Sequence, residues 1–263
     1  MEDQSAPEQH SPEPPERTIV RVPSLEFAMG VALFAIVLML FFLVQSGVFI
    51  AGVFARTPAF AAEGFSMALL NDDAFRLRMD ELLYNGDLVA RQAFWSGLVG
   101  SLFILGSVWY WKRNETKEFL GLRSVPLKRY LPWLGLFILL ALGIEGLAAV
   151  SPAFQTDFMT KVLESTSNLL LLLIGVGIMA PLFEELLLRG LLYGSIRNIA
   201  DEHAAIALTA GVFTLMHLQY SWTVMLLILP MGIVLGYARS RGGSIWVPVL
   251  LHLLNNSISV LWS

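Results

Sequence analysis

Seven long apolar runs constrain this chain more than any other feature. They lie at about residues 26–50, 93–111, 131–151, 168–190, 203–219, 221–238 and 245–262. A helix that crosses the hydrocarbon core of a bilayer needs about 20 apolar residues, and within lipid it must satisfy its own backbone hydrogen bonds. With 56% hydrophobic and only 14% charged residues, the chain has too little polar surface for a soluble fold. The sequence therefore predicts an all-α polytopic membrane helical bundle of about seven transmembrane helices.

The chain divides into three regions by composition. Residues 1–25 are rich in Pro and Glu, which predicts a disordered cytosolic tail and not a signal peptide. Residues 26–124 hold the first two transmembrane helices and a long connection, 51–92, whose spaced apolar residues predict an amphipathic helix on the bilayer surface. Residues 125–263 hold the remaining runs and are expected to form the functional domain.

Charge and cysteine content exclude several classes of function. The net charge is −4 and no basic face is visible, so nucleic acid is excluded as the main partner. The absence of cysteine excludes thiolate zinc sites and cysteine nucleophiles. The expected partners are membrane lipid and a peptide or lipidated protein, and the oligomeric state is not predicted.

The basic residues predict which way the chain crosses the membrane. With the spans above, twelve of the seventeen fall on one side and five on the other. The five are Arg56, Arg76, Arg78, Arg91 and Lys161. Cytosolic loops carry the excess of Lys and Arg, so the N-terminus is predicted in the cytosol and the C-terminus outside.

Ionisable and strongly polar residues inside apolar runs are functional candidates, because each costs several kcal/mol to place there. The candidates are Glu145, Glu184, Glu185, Arg189, His217, His252, Asn255 and Asn256. Each also has a purely structural interpretation: a helix-end ion cluster, a hydrogen-bonded packing histidine or, for Glu145, a carboxylate that reaches water at the outer boundary. For Glu145 the structural interpretation is favoured.

Spacing separates the roles of these residues. Glu185 and Arg189 are four apart on one helix face, which predicts an internal ion pair. Glu184 points about 100° away and lacks that partner, so it is a candidate general base. Counted from the helix ends at 1.5 Å per residue, Glu184, His217 and His252 reach similar depths. They are therefore predicted to share one water-filled cavity near mid-membrane.

Three ordered motifs resemble those of a known family. They are Glu184-Glu185-x-x-x-Arg189, Phe213-x-x-x-His217 and His252-x-x-x-Asn256. Together they resemble the CPBP intramembrane proteases, which include the CAAX prenyl endopeptidases and relatives linked to bacteriocin processing or immunity, over roughly residues 125–263. The resemblance implies that Glu184 and His217 activate a water for attack on a peptide carbonyl. It also implies that His252 and Asn256 stabilise the oxyanion, with Glu185 and Arg189 in support.

Metal dependence and two other functions stay open at this point. Histidines with a carboxylate suit zinc, and Glu184, His217 and His252 would be its ligands, but the chain has no His-Glu-x-x-His segment. We favour a glutamate-activated water without a tightly bound metal. The alternatives to a protease are a non-catalytic scaffold or bacteriocin-immunity protein of the same fold and a proton-coupled carrier. A carrier usually shows an internal repeat, and none is evident between the halves of this sequence.

Overall fold

The computed structural model describes residues 23–262, and within that range the chain is helical with no strand. Its α-helices are α1 (Pro23–Arg56), α2 (Pro58–Glu63), α3 (Asp73–Leu82), α4 (Gly86–Lys112), α5 (Thr116–Leu120), α6 (Leu131–Val150), α7 (Phe158–Glu164), α8 (Leu169–Ile196), α9 (Glu202–Leu215), α10 (Trp222–Gly242) and α11 (Trp246–Trp262). Short 3₁₀ turns cover Met67–Asn71, Arg113–Glu115, Leu127–Arg129 and Pro152–Phe154. The all-α polytopic bundle predicted from the sequence is confirmed.

The seven predicted spans differ in length. Five helical segments among the described residues are long and apolar enough to cross a membrane: Pro23–Arg56, Gly86–Leu120, Leu127–Val150, Leu169–Ile196 and Trp222–Gly242. The other two runs form the shorter apolar helices α9 and α11. With 14 and 17 residues, these helices extend about 21 and 26 Å, less than the roughly 30 Å of a hydrocarbon core. The fifth and seventh predicted runs are therefore membrane-embedded helices of sub-spanning length.

The predicted tail and connection need two corrections. Residues 1–22 of the tail lie outside the described range, but residues 23–25 already belong to α1, because Pro23 suits the first position of a helix. The 51–92 connection is not one amphipathic helix. Its first residues complete α1, its last residues, 86–92, begin α4, and the part between them folds as α2, a 3₁₀ turn and the amphipathic α3 on a small apolar cluster. That cluster consists of Val53, Leu69, Phe75, Leu82 and Leu88.

Helix α8 lies at the centre of the bundle and packs on α1, α4 and α11. The rings of Phe41 and Phe183 stack with centroids 4.6 Å apart, and Gly100 of α4 lets the Phe183 ring approach where a Cβ would lie 2.4 Å from it. Helices α9 and α10 pack closely at a face of α10 that carries small residues. There a Cβ at Gly236 would come within 2.8 Å of Ile206.

Side-chain contacts group the helix ends into two sets. At one end, which we name the basic end, Lys112 pairs with Glu26 at 2.9 Å and Ser244 donates to the Arg123 carbonyl at 2.5 Å. Glu202 pairs with Arg241 at the same end. At the other, which we name the far end, Asp87 accepts from the backbone N–H groups of residues 167 and 168, and Thr223 donates to the carbonyl of residue 153.

Candidate active site

The two adjacent glutamates lie on α8 between two stretches of π-helix. Leu173–Met179 precedes them and Leu186–Leu192 follows them, while Glu184 and Glu185 themselves lie in a single α-helical turn. A π-helical turn widens the helix and changes which backbone groups are paired, and such turns are frequent at functional sites. The glutamates are therefore presented on a short regular turn inside an irregular helix.

Pro181 leaves carbonyls of α8 without a helical donor, and α11 supplies the replacements. The N–H of Ala180 bonds to the Gly175 carbonyl, but Pro181 has no N–H to continue the ladder. The side-chain amide of Asn256 donates to the Val176 carbonyl at 3.2 Å, and Ser257 donates to the Gly177 carbonyl at 3.4 Å. Asn256 is thus held against α8 beside the irregularity at Pro181.

Glu185 is the centre of a buried charge network. One of its oxygens accepts from Arg189 at 2.9 Å and from Nδ1 of His252 at 2.9 Å, and the Glu185 and Arg189 side chains are fully buried. Arg189 also donates to the Gly232 carbonyl at 3.0 Å and stacks over the Phe213 ring at 4.7 Å. The ion pair that the spacing of Glu185 and Arg189 predicts is present, and it extends to His252 on another helix.

Glu184 points away from this network. Its Oε2 atom is buried and makes no hydrogen bond, and it lies 3.9 Å from Nε2 of His252. Because Nδ1 of that ring faces the Glu185 carboxylate, Nδ1 carries a proton and Nε2 faces Glu184. The 3.9 Å between Oε2 and Nε2 is short enough for one oxygen atom, about 2.8 Å from each, to bridge them.

His217 lies in a turn and not in a helix, which corrects the predicted span 203–219. Helix α9 ends at Leu215, and residues 216–219 form the turn before α10. Nδ1 of His217 is 2.7 Å from the Phe213 carbonyl. A carbonyl can only accept, so Nδ1 donates and Nε2 keeps a free lone pair. The predicted i, i+4 relation between Phe213 and His217 survives, because the ring bonds back to the last helical turn.

A cavity of about 310 Å³ brings the motif residues together. Its polar lining consists of Glu184, His217, Gln219, Tyr220, His252, Asn255, Asn256 and Ser259, and its apolar wall comes from α7, α8, α9 and α10. The predicted shared cavity is present. Glu185 and Arg189 lie behind its wall and do not line it.

Tyr220 and Asn255 complete the polar wall. The Tyr220 ring stacks on the His217 ring with centroids 6.1 Å apart, and Asn255 donates to the side-chain oxygen of Asn256 at 3.3 Å. Burial, with a smaller contribution from the Glu184 carboxylate, raises the pKa of Tyr220 to about 12, so its hydroxyl stays protonated at neutral pH. Sequence reasoning missed Tyr220. Its position in the same turn as His217 is the signal that could have found it.

Glu145 lies outside this cavity. It is an exposed residue of α6 and lines a neighbouring groove with other residues of α6, α10 and α11. Its position agrees with the structural interpretation favoured from the sequence, because a side chain at a groove wall can reach water.

The described residues do not form a ready metal site. No three His, Asp or Glu side chains among residues 23–262 come together as ligands. His252 Nδ1 is held by Glu185, and Glu184 faces the cavity from α8 while His217 faces it from the turn after α9. The predicted zinc ligands Glu184, His217 and His252 therefore line one cavity, but among the described residues they do not form a coordination shell.

Comparison with known proteins identifies the same part of the chain. Residues 166–258 match the family model described as type II CAAX prenyl endopeptidase Rce1-like, a range that contains all three motifs. The chain is 31% identical over 137 residues to an "Uncharacterized 24.3 kDa protein" of Escherichia coli, covering 50% of this chain and 63% of that protein. It is 23% identical over 155 residues to the "Putative membrane peptidase YdiL" of Bacillus subtilis strain 168, covering 57% of this chain and 60% of that protein.

These matches span less than two thirds of either relative. No solved structure matches the chain. The family match nevertheless covers the helices that carry Glu184, His217, His252 and Asn256. The resemblance that the three motifs carry is thereby confirmed over residues 166–258, which match the Rce1-like family model.

Proposed function

We propose that this protein is an intramembrane endopeptidase that hydrolyses a peptide bond of a membrane-associated substrate with a water activated by Glu184 and His217. One observation carries the proposal. A buried carboxylate oxygen of Glu184 without a hydrogen-bond partner lines a cavity together with two histidines and an asparagine amide. Burying such a carboxylate is costly, and the cost is accounted for if the group acts on a water or substrate in the cavity.

Glu184 acts as the general base. A water held between its Oε2 atom and the His252 ring is in hydrogen-bonding reach of the carboxylate. The apolar wall of the cavity strengthens this contact, because water is largely excluded around it. His217 offers an Nε2 lone pair to the same cavity, so it can orient the water or take up a proton and pass it to the leaving amine.

His252 and Asn256 stabilise the negative charge that forms on the substrate carbonyl oxygen. The Glu185 carboxylate accepts from Nδ1 of His252 and fixes the ring with Nε2 toward the cavity, where a proton on Nε2 can be donated to the oxyanion. The Asn256 amide uses one N–H on the Val176 carbonyl and keeps the second for the oxyanion. Preorganised donors of this kind are worth about 10² to 10³ in rate each.

Arg189 and Glu185 act as positioning residues. Arg189 neutralises the buried Glu185 carboxylate, and Glu185 fixes the His252 ring through Nδ1. Neither side chain reaches the cavity, so neither contacts substrate. Their role is to hold His252 in one orientation, as a carboxylate behind a catalytic histidine does.

The proposed orientation in the membrane and the proposed substrate class rest on charge distribution and on the lining of the cavity. The N-terminus is placed in the cytosol and the C-terminus outside on the basis of the charge distribution. The substrate is a peptide segment delivered at the membrane, either a leader-type peptide or the C-terminal tail of a prenylated protein. The apolar walls of the cavity would accept either one.

Reconstitution of the purified protein tests this proposal against the scaffold and metal alternatives together. Lipid vesicles containing the protein would receive a leader-type peptide and a prenylated CAAX peptide, each with and without a chelator. We expect cleavage of at least one peptide that survives the chelator and is lost in His252→Ala. Cleavage that the chelator abolishes and zinc restores would favour the metal mechanism. Full activity in His252→Ala would rule out the assigned chemistry.

A carrier or scaffold would give a different pattern. Neither function requires peptide hydrolysis, and a scaffold should keep its cellular phenotype when Glu184 is replaced and the amount of protein is unchanged. Loss of phenotype in Glu184→Gln at equal abundance would therefore speak against both a scaffold role and a purely structural polar network.

A further inference from the structure

The cavity that contains the motif residues connects to two larger spaces. A polar vestibule of about 530 Å³ shares Gln219 and Tyr220 with it. A groove of about 500 Å³ shares Met159, Val224, Ile228, Met231 and Ser259 with it. The vestibule and the groove also share Gln155, Thr156 and Thr160. The three spaces are therefore neighbours around α7 and the residues before it.

Both openings lie at the far end of the bundle. The vestibule is lined by residues 155–160 and 219–221, in the connections after α6 and before α10. The connections after α4, between α8 and α9 and between α10 and α11 lie at the basic end. No connection from the basic end contributes a residue to the site cavity, the vestibule or the groove among the described residues.

The two ends of the bundle differ in charge, and the difference predicts which side of the membrane each end faces. The described basic end carries Lys112, Arg113, Lys117, Arg123, Lys128, Arg129, Arg197, Arg239 and Arg241. The far end carries Arg56, Arg76, Arg78, Arg91 and Lys161, and more acidic than basic groups overall. Short loops rich in Lys and Arg stay in the cytosol, so the far end, with both openings, faces outward.

The groove also has a charge of its own. Glu145 is an acidic group in a wall made mainly of apolar and neutral polar side chains. It belongs to a segment, Leu127–Val150, in which only 6% of an 18-residue apolar stretch is buried. A carboxylate near lipid favours a cationic partner. The groove therefore complements an extended peptide that carries a basic side chain.

We infer that the substrate is the extracytosolic segment of an exported or membrane-anchored peptide, that it reaches the site through the groove between α6, α7 and α10, and that Glu145 selects a basic residue on it. This inference rests on the proposed function and narrows its substrate class. It disfavours the cytosolic C-terminal tail of a prenylated protein, because such a tail lies at the basic end.

Labelling of single cysteines tests the side of the opening, and the natural chain has no cysteine to interfere. A membrane-impermeant maleimide would be applied to intact cells that carry Thr160→Cys at the vestibule rim, Glu164→Cys on the same end outside the cavities, or Lys117→Cys at the basic end. We expect labelling of the first two in intact cells, and labelling of the third only after permeabilisation. The reverse pattern would overturn the inference. Because labelling needs no catalysis, that result would leave the proposed peptidase activity untouched.

A charge exchange between enzyme and peptide tests Glu145. Purified protein in vesicles would cleave two leader-type peptides that differ by one Lys→Gln change near the scissile bond. We expect about a fivefold lower KM for the Lys peptide, as for an ion pair that is partly exposed. The preference should vanish in Glu145→Gln, so that the two peptides are cleaved with equal KM.

Glu164→Gln is the matched control, because it removes an acidic group from the same end of the bundle without touching the groove. It should keep the preference for the Lys peptide. A preference that persists in Glu145→Gln, or the absence of a preference in the unmodified protein, would overturn the assignment of Glu145. Cleavage of a prenylated reporter tail in the cytosol of intact cells would overturn the inferred side.

Discussion

Helices α6 and α8 are both apolar and of spanning length, and each carries glutamate. The carboxylates differ, however, in their burial and in their bonding partners. In an apolar stretch of 18 residues, 39% of the residues are buried in α8, whereas 6% are buried in the segment that contains α6. Glu185 of α8 is fully buried and bonded to Arg189 and His252, whereas Glu145 of α6 is exposed at a groove. Glu185 has Arg189 four residues later on its own helix and His252 on α11, whereas α6 carries no basic residue, so the helix itself and its neighbours together set the environment of each carboxylate.

The comparison shows what a carboxylate needs in order to act inside a membrane. The polar groups around Glu184 come from other segments. Helix α11 brings His252 and Asn256 to the same cavity, and the turn after α9 brings His217. Glu145 has no comparable ring of donors. A charged residue in an apolar helix is thus a functional candidate, and its chemistry depends on the polar groups that other helices bring to it.

The largest effect is expected at Glu184. Glu184→Gln keeps the size of the side chain and removes the base, so cleavage should fall about 10³-fold while the thermal unfolding of the protein in detergent stays within a few degrees. The rate would be measured by mass spectrometry of a cleaved reporter peptide. Glu164→Gln, an exposed acid of α7, is the control and should keep the full rate. A variant at Glu184 that retains more than a tenth of the rate would exclude it as the base.

Arg189 should matter most for stability. Arg189→Met leaves the Glu185 carboxylate buried without its cation, and breaking a buried pair in this way costs about 3–5 kcal/mol. The double variant Glu185→Gln with Arg189→Met removes both charges and should recover most of that loss. Denaturant titration in mixed micelles measures both. Equal destabilisation of the single and double variants would show that packing, and not charge, is what Arg189 contributes.

The effects of substitutions at Asn256 and Pro181 on stability should depend on each other, because both residues affect the bonding of the Val176 carbonyl. Asn256→Ala leaves that carbonyl without its donor, at a cost of about 1–3 kcal/mol. Pro181→Ala restores a backbone N–H that can serve the same region of α8. In the Pro181→Ala background the loss caused by Asn256→Ala should therefore shrink by about 1 kcal/mol. A strictly additive double-mutant cycle would mean that the two residues act independently.

The smallest effect on folding is expected at Glu145. Because the carboxylate is exposed and makes no ion pair among the described residues, Glu145→Gln should change the free energy of unfolding by less than about 0.5 kcal/mol. The same titration as for Arg189 checks this. A loss of several kcal/mol would place Glu145 in a buried network and would remove the contrast between α6 and α8.

The parts of the site that were predicted depend on local periodicity. The pairing of Glu185 with Arg189 follows from a four-residue step along a helix. The meeting of Glu184, His217 and His252 in one cavity agrees with the prediction made by counting residues from the helix ends. Both arguments use only the rise and turn of a helix, which do not depend on tertiary structure.

The parts that were missed depend on contacts between distant segments. The end of α9 at Leu215, which leaves His217 in a turn, has no strong local signal in an apolar run. The link from His252 to Glu185 joins residues 67 positions apart. The folding of the 51–92 connection into several short helices reflects packing against the ends of α1 and α4. Such outcomes are set by tertiary packing, which overrides local preference.

The dependence of α8 on α11 has a consequence for how the protein is made. The ribosome produces α8 about fifty residues before α11, so the glutamates enter the membrane while His252 and Asn256 are still to be synthesised. Until α11 arrives, the carbonyls at Pro181 and the Glu185 carboxylate lack donors that they have in the finished fold. A nascent chain therefore holds an incomplete site until α11 docks. Under the proposed function, the growing chain would be unable to hydrolyse a peptide before its synthesis has passed that helix.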